Sequence, residues 1–214
     1  MTVATDRPTR ADLEVIQKPV TFDEFIRDYG DDDRYELIDG EVFDLEPTGP
    51  HEEVGAFISR KLNVQIDLND LPYLMPYRCL VKPLGLFTGF RPDVVVLDRA
   101  SLDREPLWAK EPVITLGGSV KFVAEVVSSN WQNDYARKVE DYAVLEIPEY
   151  WIADYGALGG VDYIGHPKQP TLTICILGED GFYKKQRLQG DDAIVSPTFP
   201  ALNLTAVQVL TAGR

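Results

Sequence analysis

Two acidic side chains lie in segments that are otherwise typical of buried β-strands. In residues 91–97 every residue after Asp93 is apolar, which predicts a central strand covered on both faces. Residues 120–127 have a similar pattern, and Glu125 lies near their end, flanked by apolar residues. On neighbouring strands, Asp93 and Glu125 could hold a divalent cation that polarises a phosphoryl oxygen and activates a water for hydrolysis.

Both carboxylates also have structural interpretations. Strand alternation places Asp93 on the same face as Val95 and Leu97, and it could form a turn or cap where its strand begins. Glu125 shares a face with apolar residues and could belong to a buried ion pair. A buried carboxylate is costly unless it is hydrogen-bonded, paired or bound to a metal. We therefore expect each of them to have such a partner.

A lysine follows on the helix after the second strand. Tyr135, Lys138, Tyr142 and Leu145 recur at helical spacing and define one face, which otherwise predicts an apolar contact. Lys138 could extend from this face to pair with Asp134 one turn earlier, as a surface pair of little energetic weight. Alternatively, its ammonium could reach the two carboxylates, orient the attacking water and offset charge in the transition state.

The elements that must position these residues follow from periodicity and turn signals. A capping box of Thr21 and Glu24 predicts a first helix over residues 22–29. An Asp39-Gly40 turn predicts a hairpin between residues 35–38 and 41–43. His51 opens the second helix, where a histidine is typical of a cap or solvated end, with a general base as the alternative. The remaining predicted elements are helices at 51–67 and 131–145 and strands at 73–83, 90–97, 120–127, 150–152, 161–165, 172–177 and 181–188.

Composition and charge limit the classes of protein that fit. The chain has 214 residues and a net charge of −14, which argues against general adhesion to nucleic acid or anionic membranes. Residues 1–60 carry 16 acidic and 6 basic residues, which leaves 19 and 15 for the remainder, so a local basic groove stays open there. We expect an N-terminal arm at residues 1–20, a single domain at 21–214 and, without a signal peptide or membrane span, a cytoplasmic location.

Six short segments, in order along the chain, carry a resemblance to a known family. They are Tyr35-Glu36-Leu37-Ile38-Asp39-Gly40-Glu41, His51, Arg91-Pro92-Asp93-Val94-Val95-Val96, Glu125-Val126-Val127-Ser128, Lys138 with Tyr142, and Pro148-Glu149-Tyr150-Trp151-Ile152-Ala153-Asp154. The pattern spans about residues 20–210 and resembles the Uma-two family of endonuclease-like proteins. That family is abundant in cyanobacteria and is similar to the PD-(D/E)XK restriction endonucleases.

The resemblance implies a metal site and names its ligands. Asp93 matches the aspartate of the PD motif, and Glu125 matches the second metal-binding acid. The main-chain carbonyl of Val126 would be the third protein ligand. Glu36 matches an acidic residue that supports the metal in many such nucleases. The expected cofactor is Mg²⁺ or Mn²⁺.

The resemblance also explains a departure from the superfamily pattern. The lysine normally lies two residues after the second acid, but Val127 occupies that position here. In this branch the lysine is thought to have moved to the following helix, where Lys138 is the match. Lys138 would then assist the attacking water, the role that its position on the helix allows.

The expected fold is α/β (α+β), with a restriction-endonuclease-like core, a central mixed β-sheet flanked by helices and extra C-terminal strands. The expected function is that of a metal-dependent DNA endonuclease, a homodimer that cuts both strands. One alternative is a non-catalytic nuclease-fold scaffold for self-association or partner binding, and another is RNA or a small phosphoester as substrate. The candidates for a basic path to the site are Arg78, Lys82, Arg91, Lys121, Arg137 and Lys138.

Overall fold

The computed structural model of the chain describes residues 18–213. The predicted arm at residues 1–20 lies outside this range except for its last three residues. The helices are α1 (Phe22–Tyr29), α2 (Gly49–Leu68), α3 (Lys138–Val144), α4 (Val161–Ile164) and α5 (Ala206–Leu210). The strands are β1 (Tyr35–Ile38), β2 (Glu41–Asp44), β3 (Tyr73–Leu74), β4 (Leu80–Val81), β5 (Val94–Asp98), β6 (Val113–Ile114), β7 (Val120–Val126), β8 (Glu149–Asp154), β9 (Thr171–Leu177) and β10 (Tyr183–Leu188).

A six-stranded mixed sheet forms the centre of the molecule, in the order β10-β9-β8-β7-β5-β3. Its neighbouring strands are antiparallel except for β7 and β8, which run parallel. β1 and β2 form a separate hairpin, and β4 pairs with β6 in a small parallel sheet. The predicted central mixed sheet with additional C-terminal strands is confirmed.

Helices cover the central sheet on both faces. Val54, Ile58 and Leu62 of α2 pack with Val209 of α5 against one face. Tyr142 of α3 packs in the cluster on the other face, which also contains the inward side chains Val95, Val123 and Ile152. Alternating strand residues thus serve two cores, as expected for strands buried on both sides.

The N-terminal elements form where local sequence signals predict them. Thr21 and Glu24 make the capping box of α1, in which each side chain accepts a hydrogen bond from the backbone of the other residue. Asp39 and Gly40 have φ values of 51° and 85°, the left-handed region that a tight hairpin turn requires. The hairpin places Glu36 on a strand of which all but the first residue is buried.

Two predicted strands differ in the structure. Residues 73–83 do not form one strand but two short ones, β3 and β4, because Pro76 lies between them and each pairs in a different sheet. Residues 161–165 form the short helix α4 instead of a strand, and the helix ends at Gly165 with φ 87°. The C-terminal helix α5, with a capping box at Thr205 and Gln208, was not predicted.

The helix predicted at residues 131–145 is present but not uniform. It contains a π-helical turn at Asn133–Arg137, followed by the regular helix α3. π-Helical turns are frequent at functional sites. No helix within residues 18–213 is long and apolar enough to cross a membrane.

Candidate active site

Asp93 and Glu125 lie side by side at one end of β5 and β7. Val94 pairs with Ala124 across this antiparallel ladder, so the next step brings Asp93 opposite Glu125. Asp93 directly precedes β5, and its carboxylate accepts a hydrogen bond of 2.6 Å from the backbone N–H of Val126. The Asp93 side chain is 23% exposed and that of Glu125 is 3% exposed. One carboxylate therefore faces the solvent while the other lies deeper, and β5 begins at Val94 and not at residue 90 as predicted, so Asp93 lies just before the strand.

The Lys138 ammonium lies among three carboxylates. Its Nζ is 3.1 Å from Glu125 Oε2, 3.2 Å from Asp134 Oδ1 and 3.5 Å from Glu36 Oε2. The pairing with Asp134 that the sequence suggested is present, but it is buried, since the Lys138 side chain is only 5% exposed. The structure thus brings Lys138 to Glu125 and Glu36 as well as to Asp134.

A second residue of α3 reaches the same carboxylate. The Tyr142 hydroxyl donates a hydrogen bond of 2.7 Å to Glu125 Oε1. Burial and the neighbouring Glu125 raise the pKa of Tyr142 well above its usual value, so the phenol stays protonated and remains a donor. Each oxygen of Glu125 therefore has one partner and retains a lone pair for a further ligand.

Burial controls the electrostatics of this cluster. It raises the pKa of Glu125 well above its usual value and that of Asp93 as well, in spite of nearby positive charge. It also raises the pKa of Asp134 from 3.8 to about 6, although Lys138 opposes the shift. Burial alone would lower the pKa of Lys138, but the surrounding carboxylates, Glu125 first, raise it well above its usual value. The buried acids Glu125 and Asp134 are therefore protonated more easily than usual, whereas the Lys138 amine stays protonated.

The cluster opens into a groove of about 480 Å³. Asp93, Glu125, Glu36, Asp134 and Lys138 all line it. Buried acids elsewhere in the described residues behave differently. Glu149, for example, accepts hydrogen bonds from Trp151 Nε1, Ser196 Oγ and the Thr198 N–H, and it does not line the groove. Burial alone therefore does not make a carboxylate part of the candidate site.

Only part of the expected basic path lines the groove. Of the six predicted residues, Arg78, Arg91 and Lys138 do so, whereas Lys82, Lys121 and Arg137 do not. Arg91 donates hydrogen bonds to the carbonyls of Tyr35 and Gly30 and is only 7% exposed, so it supports the backbone. Arg78 pairs with Asp33 at the groove edge. Half of the basic residues predicted for a path to the site therefore lie away from the groove.

His51, predicted as a cap or solvated helix end with a general base as the alternative, lies close to the carboxylates. His51 Nε2 lies 2.8 Å from the carbonyl oxygen of Val126 and 3.5 Å from Asp93 Oδ2. The sequence did contain a signal that His51 faces inward. His51 begins the i, i+3, i+7 stripe that continues through Val54 and Ile58 into the core. A histidine on that stripe must face the sheet and not the solvent.

The donor set suits a hard divalent cation. Within residues 18–213, no three His, Cys, Asp or Glu side chains are gathered closely enough to enclose a metal ion on their own. Mg²⁺, however, is usually held by one or two carboxylates and keeps several waters. Asp93, Glu125 and the Val126 carbonyl fit that pattern, because Asp93 keeps an exposed face and Glu125 lies beside it.

The fold is shared with a solved structure. The chain superposes on a crystal structure titled as a "putative nuclease belonging to DUF820" from Anabaena variabilis ATCC 29413, with a TM-score of 0.65 and 16% sequence identity. The match covers 92% of this chain and 100% of that chain. The protein therefore has the α/β fold of that protein, with a central mixed sheet flanked by helices. No curated protein matches the chain.

The family follows from the sequence itself. The family model Uma2, described as "Putative restriction endonuclease", matches residues 22–207. The chain belongs to this family, which is the Uma-two family that the sequence pattern resembles. Family and fold together support a nuclease.

Proposed function

We propose that the protein is a divalent-metal-dependent endonuclease that hydrolyses phosphodiester bonds in DNA. The observation that carries the proposal is the meeting of Asp93 and Glu125 in an open groove, with the Lys138 ammonium 3.1 Å from Glu125. Two carboxylates can bind a divalent cation, and a lysine can stabilise the charge that develops during phosphodiester hydrolysis.

Three groups of the chain would hold the cation: the carboxylates of Asp93 and Glu125 and the main-chain carbonyl of Val126. Mg²⁺ or Mn²⁺, when bound there, polarises the phosphoryl oxygen and lowers the pKa of a bound water. Glu36 supports the site through its contact with Lys138. The N–H of Val126 fixes Asp93 Oδ2, so the carboxylate is already oriented before any ligand arrives.

Lys138 would position the attacking water and offset the charge that develops on the phosphate. An ammonium has three N–H donors, and three carboxylates surround this one. A substrate must therefore take over one contact, and the contact to Glu36, at 3.5 Å, is the longest. The raised pKa keeps Lys138 charged at neutral pH, which suits charge stabilisation and not general base catalysis.

The first experiment measures thermal unfolding with and without Mg²⁺ and Mn²⁺. A cation that binds only the folded state must raise the unfolding temperature. We expect stabilisation of the wild type and none in Asp93→Ala or Glu125→Ala. An unchanged unfolding temperature of the wild type at millimolar metal would refute the cation site.

Cleavage assays then test the activity and the substrate. We expect the wild type with Mn²⁺ or Mg²⁺ to cut DNA and Lys138→Ala to bind metal without cutting. Parallel assays with RNA of the same sequence and with a small phosphodiester identify the substrate class. We further propose a homodimer, because two active sites can cut both strands of a duplex, and sedimentation measurements with and without DNA test this.

A second candidate function is a scaffold that keeps the nuclease fold without cleavage. It is favoured by one observation: the exposed arginines Arg34 and Arg78 at the groove are paired with Asp44 and Asp33 and not free for phosphates. Such a scaffold would show no metal response. Asp93→Ala and Glu125→Ala would then differ from the wild type in stability alone, and Glu125→Ala would be less stable because it removes a partner of the buried Lys138 ammonium.

A further inference from the structure

His51 is held in place by the backbone of α2. The Thr48 side chain caps the helix and accepts a hydrogen bond of 3.4 Å from the His51 N–H. One turn on, Gly55 faces the strand ends, since a Cβ there would lie at ordinary contact distance, 3.9 Å from Asp93 Cβ and 4.0 Å from Val126 Cγ2. The imidazole therefore faces the proposed cation site because of where the helix lies.

The spacing of three donor atoms is that of neighbouring ligands. His51 Nε2 is 2.8 Å from the Val126 carbonyl oxygen and 3.5 Å from Asp93 Oδ2. In an octahedral shell with bonds of about 2.1 Å, adjacent donors lie about 3 Å apart. A cation could thus contact the imidazole and both oxygens after small adjustments of the side chains.

The other ring nitrogen supports this interpretation. His51 Nδ1 is buried without a hydrogen-bond partner, and Glu52 Oε1 lies 3.8 Å from it. A purely structural hydrogen bond from Nε2 to Val126 leaves Nδ1 unsatisfied, which is costly in a buried ring. With the cation on Nε2, the single ring proton resides on Nδ1, where the Glu52 carboxylate can accept it. Histidine ligands of metals almost always have such an arrangement.

We propose that His51 is a direct ligand of the catalytic cation and that the site therefore prefers a first-row transition ion, with Mn²⁺ as the probe, over Mg²⁺. This inference rests on the proposed function, because it concerns the same cation. Imidazole suits transition ions, whereas Mg²⁺ prefers oxygen donors. His51 adds a nitrogen beside the Asp93 carboxylate and the Val126 carbonyl, and this shifts the selectivity of the site.

Pulsed electron paramagnetic resonance of the full chain loaded with Mn²⁺ provides the direct test. A coordinated imidazole gives a ¹⁴N modulation of the electron spin echo, and we expect it in the wild type. Labelling with ¹⁵N-histidine should replace this modulation by that of ¹⁵N. The measurement needs no variant and no activity. Mn²⁺ that binds without nitrogen modulation would overturn the role of His51 and leave the proposed function intact.

A matched pair of variants completes the test, because the chain has only two histidines. His51→Gln should lose the modulation and bind Mn²⁺ at least about tenfold more weakly, with a smaller change for Mg²⁺. His166→Gln, at an exposed position, should keep both. Equal losses of Mn²⁺ and Mg²⁺ affinity in His51→Gln would contradict the selectivity. A wild type that binds neither ion would refute both this inference and the proposed function.

Discussion

At the scale of single residues, the buried cluster around Lys138 combines one ammonium with several carboxylates. Glu125, Asp134 and Glu36 all lie within 3.5 Å of its Nζ. Removing one partner of a buried ion pair is far more costly than removing a surface pair, because it leaves uncompensated charge. The cluster therefore has measurable consequences for stability that are independent of catalysis.

Lys138→Met should lower the free energy of unfolding by about 3–5 kcal/mol at neutral pH. The loss should shrink in acid, because Glu125 and Asp134 have raised pKa values in the folded state and become neutral as the pH falls. Urea unfolding at two pH values measures both effects. Lys121→Met, which breaks the more exposed pair with Asp98, is the control and should cost less than about 1 kcal/mol.

Asp134 should make the metal-free protein less stable as the pH rises. Its pKa is raised from 3.8 to about 6 in the folded state. Asp134 therefore contributes its full stabilisation at a pH below its pKa in the unfolded chain, and this contribution is lost as the pH rises through about 6. Unfolding temperatures across this window, measured with a chelator present, should fall for the wild type. Asp134→Asn should show a flatter profile, and an equally steep one would show that other groups dominate.

At the scale of elements, the approach of α2 to the strand ends determines the geometry of the site. Gly55 has room for a methyl group, because the nearest atoms would lie at 3.9 Å or more. Gly117 has none, since a Cβ there would lie 1.5 Å from the carbonyl oxygen of Leu145. Lack of space therefore requires a glycine at position 117 but not at position 55.

Gly55→Ala should stabilise the protein by up to about 1 kcal/mol, because glycine is a poor helix former. It should leave metal affinity unchanged. Gly55→Leu should push α2 away from β5 and weaken metal binding through His51 and Asp93. Chemical unfolding and calorimetric titration measure the two effects. Gly117→Ala serves as the contrasting substitution and should destabilise the fold.

Local signals predicted most elements, and non-local contacts explain the outcomes at residues 73–83 and at His51. The capping box at Thr21 and the turn at Asp39 depend on neighbouring residues alone, and both are confirmed. Residues 73–83 were predicted wrongly because each half pairs with a distant strand. His51 was predicted as a cap with a general base as the alternative, because its contact with Val126, 75 residues away in the chain, has no local signal.

At the scale of the whole molecule, the net charge of −14 should limit binding to DNA. Arg34 and Arg78 are the half-exposed arginines at the groove, and each must exchange a carboxylate for a phosphate. Affinity should then depend only weakly on salt, because few counterions are released. A divalent cation in the site would contribute part of the attraction that basic residues provide in other nucleases.

The slope of log affinity against log salt should be about −2, as expected for two phosphate contacts. Arg78→Gln should reduce its magnitude by about one. The fluorescence anisotropy of a labelled DNA duplex, measured in the presence of Ca²⁺ at several salt concentrations, gives the slopes for the wild type and for Arg78→Gln. Lys185→Gln, on the exposed strand β10, provides the comparison and should leave the slope as it is. A slope much steeper than this would mean that a basic surface outside the groove contacts DNA.

The parallel pairing of β7 and β8 explains how Lys138 reaches Glu125 although Val127 lies two residues after that acid. Parallel neighbours need a crossover connection, and such connections nearly always have one hand. Here the crossover contains α3, which lies over the sheet face that Glu125 shares. Because the crossover has this hand, Lys138 of α3 lies next to the Glu125 carboxylate. Acid and amine therefore belong to one contiguous βαβ segment, from β7 through α3 to β8.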